Sequence, residues 1–194
     1  MPVYPGDLEP RLVQTASLEK EGYVDFQLTS GMHVGTHVDA PAHMVANGKM
    51  LDAYPVDWFT GAGVLIDARG ATALGVELLD GVTIPRNAVV LFATGWDEKY
   101  RTPAYFTDFP VMTEGCAQAL CDADIRIVGT DTASPDRPPF AVHRILLRHD
   151  ILILENLTNL SALRGTPFTM FAFPPRLATE AAPVRVVARV SETQ

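Results

Sequence analysis

The chain has 194 residues, 47% apolar and 20% charged, with a formal net charge of −8. That balance supports one sizeable core, so a single domain over residues 1–194 is expected and a disordered chain is excluded. An acidic surface gains nothing from a phosphate backbone, which excludes nucleic acid as a partner. No apolar run approaches the roughly 18 residues of a membrane span, so no membrane partner is expected. No basic segment leads into an apolar run as in a secretory leader, and the cytoplasm is the expected location.

In chain order, Tyr23 to Thr29 alternates in part and predicts a strand. Val64-Leu65-Ile66 and Ala88 to Phe92 are short apolar runs of the buried-strand type. Thr102 to Pro110, rich in aromatics and prolines, predicts a long loop over a cavity. Thr113 to Asp122 predicts a helix with Thr113 as N-cap. Cys116 and Cys121, five residues apart on that helix, point to different faces, which excludes a disulfide between them. Arg126-Ile127-Val128 predicts another buried strand. Phe140 to Arg148 predicts a second helix opening after Pro138-Pro139, with Arg144 and Arg148 on its solvated side. Ile151 to Leu154 is a further buried strand, Thr158 to Leu163 a short third helix, and Val184 to Val190 an alternating strand. The whole is an α/β domain with more sheet than helix.

The chemistry concentrates in His33-Val34-Gly35-Thr36-His37-Val38-Asp39-Ala40-Pro41-Ala42-His43, which holds three of the five histidines and an aspartate within eleven residues. Imidazole and carboxylate together are the ligand set of zinc, manganese or iron. On an extended strand, His33 and His37 would stand about 13 Å apart. Metal–nitrogen bonds of roughly 2 Å do not span that gap. The chain must therefore curl between them, and Gly35 permits the curl. Pro41 stiffens the exit and aims His43. A tight loop rather than a regular element is expected.

Two other residues belong beside this cluster. His143 sits on the second predicted helix. Glu155 closes the apolar run Ile151 to Leu154, where a carboxylate is unusual unless paired or ligated. The residues alone leave a salt bridge and a metal ligand equally open for Glu155. His149, in Arg148-His149-Asp150, reads as an exposed turn. Aromatic walls for a substrate are sought among the chain's Trp and Phe residues, with Trp58, Phe168 and Phe171 as the candidates.

The run from His33 to His43 resembles the H-x-G-T-H-x-D-x-P-x-H motif of the cyclase family of metal-dependent hydrolases, which includes bacterial kynurenine formamidase and isatin hydrolase. The resemblance extends along the chain. Val3-Tyr4-Pro5-Gly6-Asp7 is similar to that family's P-G-D segment, Thr94-Gly95-Trp96 to its T-G-W segment, Gly129 to Ser134 to its G-x-D-x-x-S stretch, and Glu155 to Leu160 to its E-N-L-x-N-L stretch. The resemblance implies a swivelling β/β/α fold. It implies that His33, His37 and Asp39 hold one metal, that Asp39 bridges to a second completed by His143 and Glu155, and that His43 is the general acid/base. One or two divalent ions per chain are implied, zinc first and manganese second.

Two ions, two carboxylates and a hydroxide leave about one positive charge, suited to a developing oxyanion. The resemblance therefore implies hydrolysis of a small amide, foremost an aryl formamide such as N-formylkynurenine. Another small cyclic amide, imide or lactone is the alternative, and a metal-binding protein without catalysis is the alternative of another class. An intact His43 argues against the last, because a purely structural site needs no spare base. His43 can also be read as a supporting group or a further ligand. The chain begins almost on its P-G-D segment, whereas relatives carry a further strand before it. A homodimer or higher oligomer is expected, in which a neighbour helps close the pocket.

Overall fold

The structure, a computed structural model, describes residues 1–190. Its first elements are β1 (Arg11–Ala16) and β2 (Asp25–Thr29), an antiparallel hairpin that pairs with no other strand. β3 (His37–Asp39), β4 (Thr60–Asp67), β5 (Ala73–Leu74), β6 (Val89–Ala93) and β7 (Val111–Met112) follow. Then come α1 (Glu114–Asp122), β8 (Ile127–Thr130), α2 (Ala141–Arg148) and β9 (Leu152–Glu155). β10 (Phe168–Phe171), β11 (Ala181–Pro183) and β12 (Val187–Val190) complete the fold.

Eight strands form the main sheet in the order β11-β3-β9-β8-β6-β4-β10-β12. The central four are parallel, and the outer strands add antiparallel on both sides. The apolar runs of β6, β8 and β9 follow from burial on both faces. On one face Val90, Phe92, Val128 and Ile153 meet Cys116 and Leu120 of α1 and Val142, Leu146 and Leu147 of α2. On the other, Val89, Leu91, Ile127, Leu152 and Leu154 meet Val38, Met170 and Ala182. Each large side chain buried there contributes roughly 1.5–3 kcal/mol.

That second face has no α-helix, and the sheet covers it by curling. β11 and β12 lie at opposite edges, yet only Val184 to Val186 join them. Eight flat strands would hold those edges about 33 Å apart, whereas a link of this length reaches only about 14 Å. The two edges are therefore drawn together. Gly63 permits part of this packing: a Cβ there would stand 1.9 Å from the Phe168 ring on neighbouring β10.

The predicted strands and helices appear with adjusted bounds. Thr113 caps α1, its side chain accepting the Cys116 N–H. Both cysteines are free. Arg144, Arg148 and His149 are exposed. Residues 158–163 yield only a 3-10 turn at Leu160–Leu163. The stretch from Val184 to Val190 is strand only from Val187, because its first residues make the link between sheet edges. β1, β5, β7, β10 and β11 were not anticipated. The His33 to His43 run is not purely loop, since three of its residues form β3 between β11 and β9. No described helix is long and apolar enough to cross a membrane.

Candidate metal centre

The C-terminal ends of parallel strands are where open α/β sheets gather their functional loops. Here β8 and β9 end on Thr130 and Glu155. β3 runs antiparallel to β9, and its register sets His37 directly opposite Glu155. Before β3 the chain turns at Gly35, whose φ of +69° is a left-handed conformation that glycine adopts without penalty, and this turn returns His33 to the cluster. Gly35 also offers its carbonyl to Nδ1 of His37 at 2.8 Å, leaving Nε2 to face inward. After β3, Pro41 opens the 3-10 turn Pro41–His43 and presents His43. His143 enters from the first turn of α2.

The six residues singled out in the sequence meet at one place. His33 Nδ1 is 3.0 Å and His37 Nε2 3.4 Å from Asp39 Oδ1. His37 Nε2 is 3.3 Å from Glu155 Oε2, and His143 Nε2 is 3.2 Å from Glu155 Oε1 and 3.8 Å from Asp39 Oδ2. The His43 ring centre lies 4.3 Å from that of His33 and 5.8 Å from that of His143. None of the approaches to Asp39 has hydrogen-bond geometry. Both of its carboxylate oxygens, and Nε2 of His37, are buried with no hydrogen-bond partner.

Buried polar atoms without partners are costly, and carboxylates facing imidazole lone pairs call for a cation between them. Two overlapping sets have metal-ligand spacing: His33, His37 and Asp39, and Asp39, His43 and His143. Asp39 is common to both, as a bridging carboxylate would be. Glu155 stands against one histidine of each set, His37 and His143, and His43 falls within ligand reach of the second, which keeps open its reading as a further ligand.

The electrostatics agree. Burial works to lower the pKa of His37, but the charge of Asp39 and the contact with Glu155 prevail and raise it to about 9. His33 is raised likewise, its burial outweighed by Asp39. His143 is raised well above its usual range, burial being outweighed by Asp136, Asp39 and Glu155. Asp39 is held well below the carboxylate range: burial opposes this, and the charge of His37 overrides it. Glu155 is lowered in the same way by His143 and His37. Protons on the imidazoles thus stand where positive charge is needed. His43 differs, because burial is the strongest influence and lowers its pKa, as suits a neutral base.

Asp136 was missed in the sequence. It lies buried, with Oδ1 2.5 Å from Nδ1 of His143, while Oδ2 accepts the backbone N–H groups of Val142 at 2.8 Å and His143 at 3.2 Å. One carboxylate thereby orients an inward-facing imidazole and caps α2. An acid shortly before a helix that opens after prolines was the available signal.

The segments flanking the cluster form its frame. The Asp131 carboxylate accepts the N–H groups of Thr94 and Gly95 and the Thr94 hydroxyl, joining two of the motif segments. Thr36 Oγ1 donates to the Asn156 carbonyl at 2.7 Å, and Tyr105 Oη donates to Asn156 Oδ1 at 2.9 Å.

A cavity of about 450 Å³ opens over the cluster. It is lined by the N-terminal residues Pro2 and Tyr4 to Asp7, and by Phe106, Phe140, Ser134 and Asn156 beside the cluster itself. Phe106, from the Thr102 to Pro110 segment, packs edge-on against Tyr4 with ring centres 5.9 Å apart. The expected wall residues lie elsewhere. Phe168 is buried in the sheet core over Gly63. Trp58 packs against that core under the Arg126 guanidinium. Phe171 stands on β10 beside Phe173. All three lie on or near β4 and β10, and none lines the cavity over the cluster. Periodicity could not separate a core aromatic from a wall aromatic.

A buried constellation of imidazoles and carboxylates at strand ends, under an open cavity, defines a hydrolytic metalloenzyme of the α/β class. The Cyclase family model matches residues 1–137, and the chain belongs to that family. It is 33% identical to the kynurenine formamidase of Salinibacter ruber, over 96% of this chain and 91% of that protein. Its fold is similar to isatin hydrolase A from Labrenzia aggregata, with a TM-score of 0.86 and 26% identity over 97% of this chain and 87% of the other. A protein from Bacillus stearothermophilus, described as a predicted metal-dependent hydrolase, matches with a TM-score of 0.78 and 27% identity over 96% of this chain and 90% of the other.

Proposed function

We propose that this protein hydrolyses a small amide with the help of a divalent metal, and that its substrate is an aryl formamide such as N-formylkynurenine. The observation that carries the metal is the buried, unpartnered pair of Asp39 oxygens facing His33, His37 and His143. His33, His37 and Asp39 would hold one ion, and Asp39, His143 and Glu155 a second; zinc is the first choice and manganese the second. When bound, such ions acidify a water and polarise the carbonyl oxygen of the scissile amide. His43, half-buried beside the cluster with a lowered pKa, would accept a proton on its ring nitrogen from the attacking nucleophile and return it to the leaving nitrogen. Asp136 holds the His143 ring so that Nε2 faces inward. The Tyr4 and Phe106 rings would supply an apolar wall beside the reacting bond. Formamidases among the curated relatives support the substrate class.

A second reading, opening of a small cyclic amide, imide or lactone, is favoured by one observation. Among the described residues no Lys or Arg lines the cavity, so the charged amino-acid end of N-formylkynurenine meets neither there, whereas a neutral ring needs none. Turnover of N-formylkynurenine, isatin and simple esters, with and without chelator, separates the two. Chelator-insensitive turnover would overturn the mechanism, and metal-dependent turnover of isatin alone would select the second reading.

We propose further that the chain acts as a homodimer. The β1–β2 hairpin supports this: it exposes Leu12, Phe26 and Leu28 without pairing to the main sheet, and a lone two-stranded ribbon is marginal in water. Sedimentation at assay concentrations tests it, and a fully active monomer would refute it.

A further inference from the structure

Phe140 combines three features that do not ordinarily coincide. Its backbone is left-handed, with φ of +61°. Nine non-glycine residues share such a conformation among those described, and seven of them are Asn or Asp, the types that tolerate it. Phe140 is also the N-cap of α2, and its side chain supplies no hydrogen bond there. Asp136 makes the cap instead. Asn at position 140 would suit the left-handed backbone better, yet an aromatic ring stands there. That ring is half-buried, lines the cavity over the metal centre, and meets His143 edge-on at 5.7 Å and 88°. An unfavourable conformation kept at a cavity wall points to use of the side chain, because local stability alone selects against it.

We propose that Phe140 is a specificity-determining residue that recognises the aryl ring of the substrate by stacking beside the scissile bond. This rests on the reading of the protein as an aryl amide hydrolase and names the residue that makes the ring matter. A flat ring lying against Phe140 would have its amide carbon over the cluster, because the same ring touches His143. Tyr4 and Phe106 line the same cavity.

The test compares the metal-loaded wild type with Phe140→Asn and Phe140→Leu. It measures binding of benzamide and of isobutyramide, the melting temperature, and the affinity for zinc. For Phe140→Asn we expect the preference for benzamide over isobutyramide to fall by about tenfold, in line with the worth of an aromatic pair. The melting temperature should hold or rise, and zinc affinity should not change. Phe140→Leu should lose the same preference without gaining stability. A wild type indifferent to the ring, a preference that survives either substitution, a melting temperature several degrees lower in Phe140→Asn, or a loss of zinc would each overturn the proposal. The last two would make Phe140 a packing residue or a buttress for His143. Because binding is read separately from turnover, a protein that favours benzamide through Phe140 but cleaves no formamide would refute the formamidase reading and leave this inference standing.

Discussion

Asp136 offers the sharpest test of how the centre is assembled. Its Oδ2 caps α2 through the N–H groups of Val142 and His143, and losing a cap costs about 1 kcal/mol. Its Oδ1 meets the buried His143 imidazole at 2.5 Å, and a hydrogen bond to a charged group is worth about 1.5–3 kcal/mol. Asp136→Ala removes both, so the ion-free protein should lose about 2–4 kcal/mol. In a chain of this size that lowers the melting temperature by about 4–16 °C. Asp136→Asn keeps one acceptor oxygen, enough for the cap or the imidazole but not both, and should lose roughly half as much. Both variants free the His143 ring to turn, so zinc affinity should fall about 10- to 100-fold. Thermal melts of the ion-free protein give the first quantity, and titration against a competing fluorescent chelator gives the second. If Asp136→Ala melts within about 2 °C of wild type and binds zinc equally well, the carboxylate neither caps nor positions, and the reasoning fails.

His37→Ala should lose metal and activity together, whereas His43→Ala should keep most metal and lose about 10²- to 10⁴-fold in rate; equal metal loss in metal analysis of the two would make His43 a ligand. Because the ion-free cluster raises His37 to about 9 and His143 well above its usual range, with His33 shifted in the same direction, an ion must displace protons from these imidazoles. Metal affinity should therefore climb as pH rises toward that value, and a flat profile in chelator competition would refute the charge arrangement. Gly63→Ala sets a Cβ 1.9 Å from the buried Phe168 ring, so it should cost about 1–3 kcal/mol by overpacking. It should leave zinc affinity unchanged, since it lies in the β4–β10 packing, and an unaltered melting curve would show that the ring gives way freely.

The elements visible in the sequence were those whose pattern is local. Ala88 to Phe92 and Ile151 to Leu154 are uninterrupted because their strands are covered on both faces, and Thr113 announces a helix start by itself. β10 was missed because Phe168 to Phe171 borrows its strand character from pairing with β4 and β12, partners distant in the chain. β3 was read as a loop for a similar reason: three residues carry no period, and β11 and β9 supply the pairing. The break before β12 follows from the curl of the sheet, a global constraint that the alternation of Val184 to Val190 does not contain.

The candidate site divides along the same line. Donors that share an ion are restricted in type and held close by short bonds, so His33, His37, Asp39 and His43 had to lie near one another in the chain or be brought there by rigid elements. β9 and α2 do this for Glu155 and His143. A cavity wall has no such restriction. Any apolar ring that reaches the space will serve, and it can come from the chain start, as Tyr4 does, from a proline-rich segment, as Phe106 does, or from a helix cap, as Phe140 does. Trp58, Phe168 and Phe171 have the right chemistry and stand in the wrong place: Phe168 is buried in the sheet core, Trp58 packs on that core from a 3-10 turn, and Phe171 lies beside Phe173. The proposed ligand set is therefore legible in residue types at short spacing, while the aromatic lining of the cavity comes from three segments that only the folded chain brings together.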